Sequence, residues 1–230
     1  MDTQTPYLPQ SGFRAKAAQK GFTLVEIAIV LVIIGLLLGG ILKGQEMITQ
    51  AKIKNVVNDF NGITAAVNSY QDRYRALPGD DLNAGTRWTG TAAGTGDGQY
   101  ACTAGYKSTA PALPINSDEC NLFWQHLRLA GFVAGSTTGA AGGTQPNNAA
   151  NGIMGVQTSG MGFVSNIICT SNLPDKIAIA VDVQMDDGSP GGGQIRGSLQ
   201  TEPNPTVTST NTTSAYAETG TNQYVLCKNL

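Results

Sequence analysis

Few side chains in this 230-residue sequence stand in a pattern that would let them act together on a substrate. His126 is the only histidine, and no serine, cysteine or aspartate stands around it in a nucleophile–base arrangement. It reads as structural or solvated rather than catalytic. Asp182, Asp186 and Asp187 offer oxygen ligands of the kind calcium takes. Their spacing departs from the EF-hand loop, and Asp187-Gly188 is an ordinary turn signal, so a turn is the simpler reading and calcium the competing one. No other cofactor is implied. The four cysteines, Cys102, Cys120, Cys169 and Cys227, lack the close pairing of a zinc site. All lie beyond an apolar segment that directs them out of the cytoplasm, so disulfides are a better reading than buried free thiols. Of the three pairings open to four cysteines, Cys102 with Cys120 and Cys169 with Cys227 is preferred. One closes a local loop and the other clamps the C-terminal tail.

Glu26 is the residue that most needs explanation. It is the single ionisable side chain in the 21 residues from Phe22 to Leu42, FTLVEIAIVLVIIGLLLGGIL. As a helix that segment would span about 31 Å, the thickness of a bilayer core. A carboxylate in hydrocarbon costs on the order of 2.5–3.5 kcal/mol, so Glu26 either has a partner or sits at headgroup depth near the start of the span. The preceding residues are polar, carry Arg14, Lys16 and Lys20 close to the boundary, and lack the hydrophobic stretch and small-residue cleavage site of an ordinary secretory signal. Lys43, Lys52 and Lys54 on the far side weaken the charge asymmetry that would fix orientation. Within the span, Gly35 to Gly39 and Gly40 to Gly44 form two small-xxx-small arrangements that suit close helix packing, with simple flexibility as the competing reading.

The residues KGFTLVEIAIVLVIIG, from Lys20 onward, resemble the processing signal of type IV pilins and of the pseudopilins of type II secretion. The order is specific: a basic residue, Gly, Phe, an apolar residue just before Glu, then an unbroken apolar run. The resemblance implies cleavage after Gly21 by a membrane peptidase that also methylates the new amine on Phe22, and a role for Glu26 in assembly. Cleavage would create a positive amine near the one buried carboxylate, and their pairing would lower both desolvation costs. That this pairing runs between subunits is implied by the resemblance alone, since residues four apart also meet within one helix. Many major pilins have a proline near the end of the apolar stretch; here no proline occurs between Pro9 and Pro78.

Beyond Gly44, Ile53, Val56, Phe60, Ile63, Val67, Tyr70, Tyr74 and Leu77 recur at alternating intervals of 3 and 4, with Asn55, Asp59, Asn68, Gln71 and Asp72 off the stripe. This predicts that the helix continues past the membrane and packs its stripe on its own domain, with a coiled-coil dimer as the alternative. Pro78 and Gly79 end it. Residues 82–118 read as a long connection, CNLFWQHLRLAGF as a short amphipathic helix, and 134–152 as a low-complexity surface loop. GFVSNIICT, KIAIAVDVQM and QYVLC read as strands. Ile195, Gly197 and Leu199 read as a hairpin partner of the second, across the Asp186–Gly193 turn. The sequon at Asn211 is taken as incidental to a Thr/Asn-rich tail.

The expected architecture is α+β and pilin-like, a long N-terminal helix packed on a small antiparallel sheet with long loops. Its parts are a cleaved leader (1–21), a transmembrane or filament-core helix (22–42), an amphipathic helix (43–77) and a head (78–230). The expected function is that of a filament subunit, first held in the bacterial inner membrane with its head outside the cytoplasm. Its implied partners are identical or related pilin subunits, the prepilin peptidase/N-methyltransferase and an inner-membrane assembly platform. A secretion pseudopilin is the near alternative, and a membrane-anchored enzyme or binding domain the distant one. With formal net charge -2 and 14 scattered basic residues, nucleic acid is not indicated.

Overall fold

The computed structural model describes residues 21–107, 118–210 and 215–230. The leader residues Arg14, Lys16 and Lys20, part of the 82–118 connection and the Asn211 sequon lie outside them. Helix α1 runs from Leu24 to Tyr74. The chain divides into two compact units, one ending at Gln45 and one comprising Glu46–Leu230. In the first unit, every described residue from Gly21 to Lys43 is exposed. No described residue covers that apolar surface.

In the second unit, α1 buries Ile53, Val56, Val57, Phe60, Ile63, Ala66, Val67 and Tyr70. This is the predicted stripe, and it packs on the chain's own domain. The opposite side carries exposed Asn55, Asn58, Asn61, Gly62 and Asn68, poor helix formers that together cost on the order of 3 kcal/mol relative to alanine. Burying even two of the stripe's large side chains outweighs that, at roughly 1.5–3 kcal/mol each, so packing rather than propensity holds this part of α1. The helix stops at Arg75, in the left-handed region at φ 55°. Pro78 and Gly79 then turn the chain. Gly79 has φ 91°, and a Cβ there would lie 2.6 Å from the Glu119 carbonyl oxygen, so only glycine fits.

The head contains the short helices α2 (Ala84–Arg87) and α4 (Gly139–Gly142), and the longer helices α3 (Glu119–Leu129) and α5 (Asp175–Met185). Its strands are β1 (Met154–Gly160), β2 (Phe163–Pro174), β3 (Ile195–Leu199) and β4 (Gln223–Asn229). They form one antiparallel sheet in the order β1-β2-β4-β3. The period of two along the strands sends alternate side chains to two cores. Met154, Val156, Ile168, Leu226 and Ile195 join the α1 stripe and residues of α3 and α5 on one side. On the other, Ile167, Cys169, Val225 and Cys227 pack with Tyr106, Met161 and Val207. At the outer edge of β3, the Ile195 N–H donates to Asp186 Oδ2 at 2.7 Å and the Gly197 N–H to the Pro190 carbonyl at 2.9 Å.

Two expectations are corrected here. KIAIAVDVQM is not a strand but helix α5, and β3 therefore pairs with β4, Ile195 opposite Lys228 and Leu199 opposite Tyr224. The alternation of Ile177, Ile179, Val181, Val183 and Met185 imitates a strand. In the helix, however, the buried residues are Asp175, Ile177, Ala178, Val181 and Asp182, while Val183 is 61% exposed. Pro174 at the N-cap and Asp175 in the first turn favour a helix start, and small Ala178 lets α5 lie close to the core. Tertiary packing overrides the β-propensity of the isoleucines and valines.

Candidate functional site

The N-terminal segment is built around a reciprocal cap. Thr23 precedes the first residue of α1, and its Oγ1 accepts the Glu26 N–H at 3.2 Å. In return, Glu26 Oε2 accepts from the Thr23 N–H and from Thr23 Oγ1, each at 2.8 Å. This Thr-x-x-Glu capping box satisfies donors that would otherwise be orphaned at the helix start. It also gives the Glu26 carboxylate a partner within its own chain. Thr23 is the residue that sequence reasoning missed, although a threonine three positions before a glutamate at the head of an apolar run is itself a legible signature. Gly21 and Phe22 lie immediately before the cap, with Phe22 84% exposed. At Gly35, Gly39, Gly40 and Gly44 an added Cβ would meet nothing within 4 Å.

In the head, the structure joins Cys102 to Cys120 and Cys169 to Cys227. The first ties the start of α3 to the segment after Tyr100. The second links directly opposed residues of β2 and β4, inside the core beneath Met161 and Val207.

Asp182, Asp186 and Asp187 do come together, with one oxygen from each within 4.8 Å of the others. Protein donors already engage those oxygens. Asp182 accepts from the Gly188 N–H at 3.1 Å and from the Tyr216 hydroxyl, Asp186 from the Ile195 N–H, and Asp187 from the Ser189 N–H at 2.8 Å. Burial also pushes the Asp182 carboxyl upward, toward its neutral form. The group holds a turn with its own hydrogen bonds. A second acidic group, Asp80, Asp97 and Glu119, is wrapped in the same way. Asp80 accepts from the N–H groups of Gly96, Asp97 and Gly98, and Glu119 from those of Thr95 and Ala101.

His126 is wholly buried. Its Nδ1 accepts the Gly79 N–H at 2.9 Å, which leaves the proton on Nε2, where it is donated to the Ala92 carbonyl at 3.1 Å. The ring stacks on Tyr70, whose hydroxyl donates to Asp81 at 2.7 Å, and Asp81 also pairs with Arg87. Burial is the main cause that lowers the histidine pKa to about 4. It is a structural link between α3 and the turn after α1. An open cleft of about 500 Å³ near that turn is lined by Tyr74, Arg75, Leu77, Asp80 and Leu82, without a nucleophile and base in reach of each other.

Residues 16–42 match the family model described as the prokaryotic N-terminal methylation motif. No curated protein and no solved structure matches the chain. The chain therefore carries the prepilin-type signal of type IV pilin-like and pseudopilin precursors, a structural class of protein. The architecture agrees: an α+β, pilin-like arrangement in which a long N-terminal helix packs on a small four-stranded antiparallel sheet. The helix is also long and apolar enough at its start to cross a membrane, with a mean hydropathy of 2.8 in its most apolar window.

Proposed function

We infer that the protein is a structural subunit of a type IV pilus-like filament. A prepilin peptidase/N-methyltransferase removes residues 1–21 after Gly21 and methylates the amine of Phe22. The mature subunit waits in the inner membrane with its head outside the cytoplasm, held by the 22–42 span. An assembly platform in that membrane then passes it to the growing fibre, where the same segment packs against identical or related subunits. The observation that carries this reading is the exposed apolar surface from Phe22 to Leu42 in a segment matching the methylation motif. Burying it among like helices removes it from water and lipid together. Open space at Gly35, Gly39, Gly40 and Gly44 supports close approach by neighbouring helices. On this reading the Thr23–Glu26 cap is the resting state of the carboxylate before the amine of another subunit reaches it.

The test is intact-mass and N-terminal peptide spectrometry on native membrane and sheared-surface fractions. A chain beginning with N-methylated Phe22 in sheared fibres is the expected result. The same chain confined to the periplasmic face would assign it to a secretion pseudopilus instead. Retention of residues up to Gly21 in every fraction would overturn the filament reading and leave a membrane-anchored domain.

A further inference from the structure

Two carboxylates of the head are shut away from solvent in one small space. Glu119, in the first turn of α3, is 0% exposed, and Asp80, just after the Pro78-Gly79 turn, is 4% exposed. One oxygen from each, together with one from the exposed Asp97, lie within 4.8 Å of one another. Among the described residues, no lysine or arginine forms an ion pair with any of the three. Their partners are backbone N–H groups and a single hydroxyl. Thr95 Oγ1 lies 2.8 Å from Glu119 Oε1 and 3.2 Å from Asp80 Oδ1, with one proton to give between them. Amides offer only partial charges, whereas buried carboxylates are ordinarily paired with a cation or coordinate a metal.

Tyr100 supplies an independent observation. It is 4% exposed, and its hydroxyl has no hydrogen-bond partner among the described residues. Burial first, and then the charges of Asp80 and Glu119, disfavour its ionised form, so the phenol faces the same space as the two carboxylates. A buried hydroxyl left unsatisfied beside crowded acidic oxygens is accounted for by a ligand among them.

We propose that Asp80, Asp97 and Glu119 form a calcium site, with Thr95 Oγ1 as a further oxygen and the Tyr100 hydroxyl holding a water of the ion's shell. Every candidate donor is an oxygen, which suits calcium; the sulfurs that zinc would choose, Cys102 and Cys120, are tied in a disulfide. The amide bonds leave room for the ion, because a carboxylate has about four lone-pair positions. Among the described residues, Asp80 Oδ2 accepts only the Gly98 N–H and Glu119 Oε2 only that of Ala101. The open cleft lined by Asp80, Gly96 and Gly98 gives the ion a way in. The Asp182 group differs on each count: Asp186 and Asp187 reach solvent, and the Tyr216 hydroxyl donates to Asp182, its one buried carboxylate. A bound ion would tie the turn after α1, the 94–100 loop and the start of α3 together. The site lies wholly in the head and does not depend on the filament reading.

The test is calcium titration of the detergent-solubilised full chain after chelator treatment. A saturable rise in melting temperature is expected, with a Kd of about 0.1–1 mM, as for extracellular calcium modules. At ten times that Kd the rise is about 3–6 °C. Asp97→Asn keeps the turn that its Oδ1 makes with the Gln99 N–H, so it is expected to leave the chelator-treated melting temperature unchanged while weakening calcium about tenfold. Terbium, which takes the same oxygen ligands, is expected to luminesce on excitation of tyrosine, to be displaced by calcium, and to lose most of that emission in Tyr100→Phe. A flat melting temperature up to about 10 mM calcium, tenfold above the expected range, would overturn the proposal. So would a rise that Asp97→Asn leaves intact.

Discussion

Replacing His126 by glutamine tests how the head is joined to its helix. The imidazole is fully buried, accepts the Gly79 N–H at 2.9 Å and has its pKa lowered to about 4 from 6.5. Because the folded pKa lies below the unfolded one, the unfolded chain takes up the proton first. Stability from this group is complete above about pH 6.5, falls as the pH drops toward 4, and changes no further below that. The difference of about 2.5 units corresponds to about 3 kcal/mol, a large share of an ordinary domain's stability. Protonation also turns Nδ1 into a donor facing the Gly79 N–H, so the turn after α1 loses its clasp. Other groups respond with the opposite sign: the carboxyls of Asp59 and Asp182, both raised by burial, favour the folded state as the pH falls. They are common to both proteins and cancel in the comparison. Glutamine keeps an acceptor but cannot titrate. Urea unfolding of wild type and His126→Gln in detergent, at steps between pH 7.5 and 4, is expected to show a difference that shrinks by about 3 kcal/mol across that range. Parallel pH profiles, or a histidine proton titrating near 6.5 by NMR, would refute the argument.

Loss of Cys169–Cys227, which spans 58 residues, is expected to cost about 4 kcal/mol, and loss of Cys102–Cys120, spanning 18, about 3, measured by denaturant unfolding of alanine pairs. Gly155→Ala would drive a methyl group into the Tyr106 carbonyl and is expected to destabilise the β1 edge by roughly 1–3 kcal/mol, seen as a lower melting temperature without change in N-terminal processing. Asp186→Asn is expected to leave the response of the melting temperature to calcium unchanged, because the Tyr216 hydroxyl already engages Asp182 and solvent reaches Asp186 and Asp187. A saturable rise abolished by Asp186→Asn would place an ion there.

The elements legible in the sequence were those whose pattern is long or chemically rare. The stripe from Ile53 to Tyr70 repeats often enough that one period explains it, and the apolar run opened by Gly21, Phe22 and Glu26 leaves little freedom of interpretation. Helix α5 was misread because an eleven-residue stretch with β-branched residues at alternate positions satisfies both periods. The deciding fact, that Ala178 and Asp182 face inward, belongs to the tertiary structure. Strand β1 was missed for a related reason: Met154 to Gly160 is polar and glycine-rich, and although most of it is buried, only Met154 and Val156 are apolar enough to mark a strand. Thr23 was overlooked beside the stronger signal of Glu26, although the two form one motif.

The edge of β3 has a consequence for life at high density. Heads held side by side along a fibre would meet at effective concentrations far above those of free protein, where an open strand edge invites fusion of one sheet with the next. Asp186 and Pro190 already occupy the outward N–H groups of Ile195 and Gly197. Crowding then has no backbone ladder at those positions to extend. In such a fibre the loops beside β3 could vary without opening that edge to a second, competing kind of polymer.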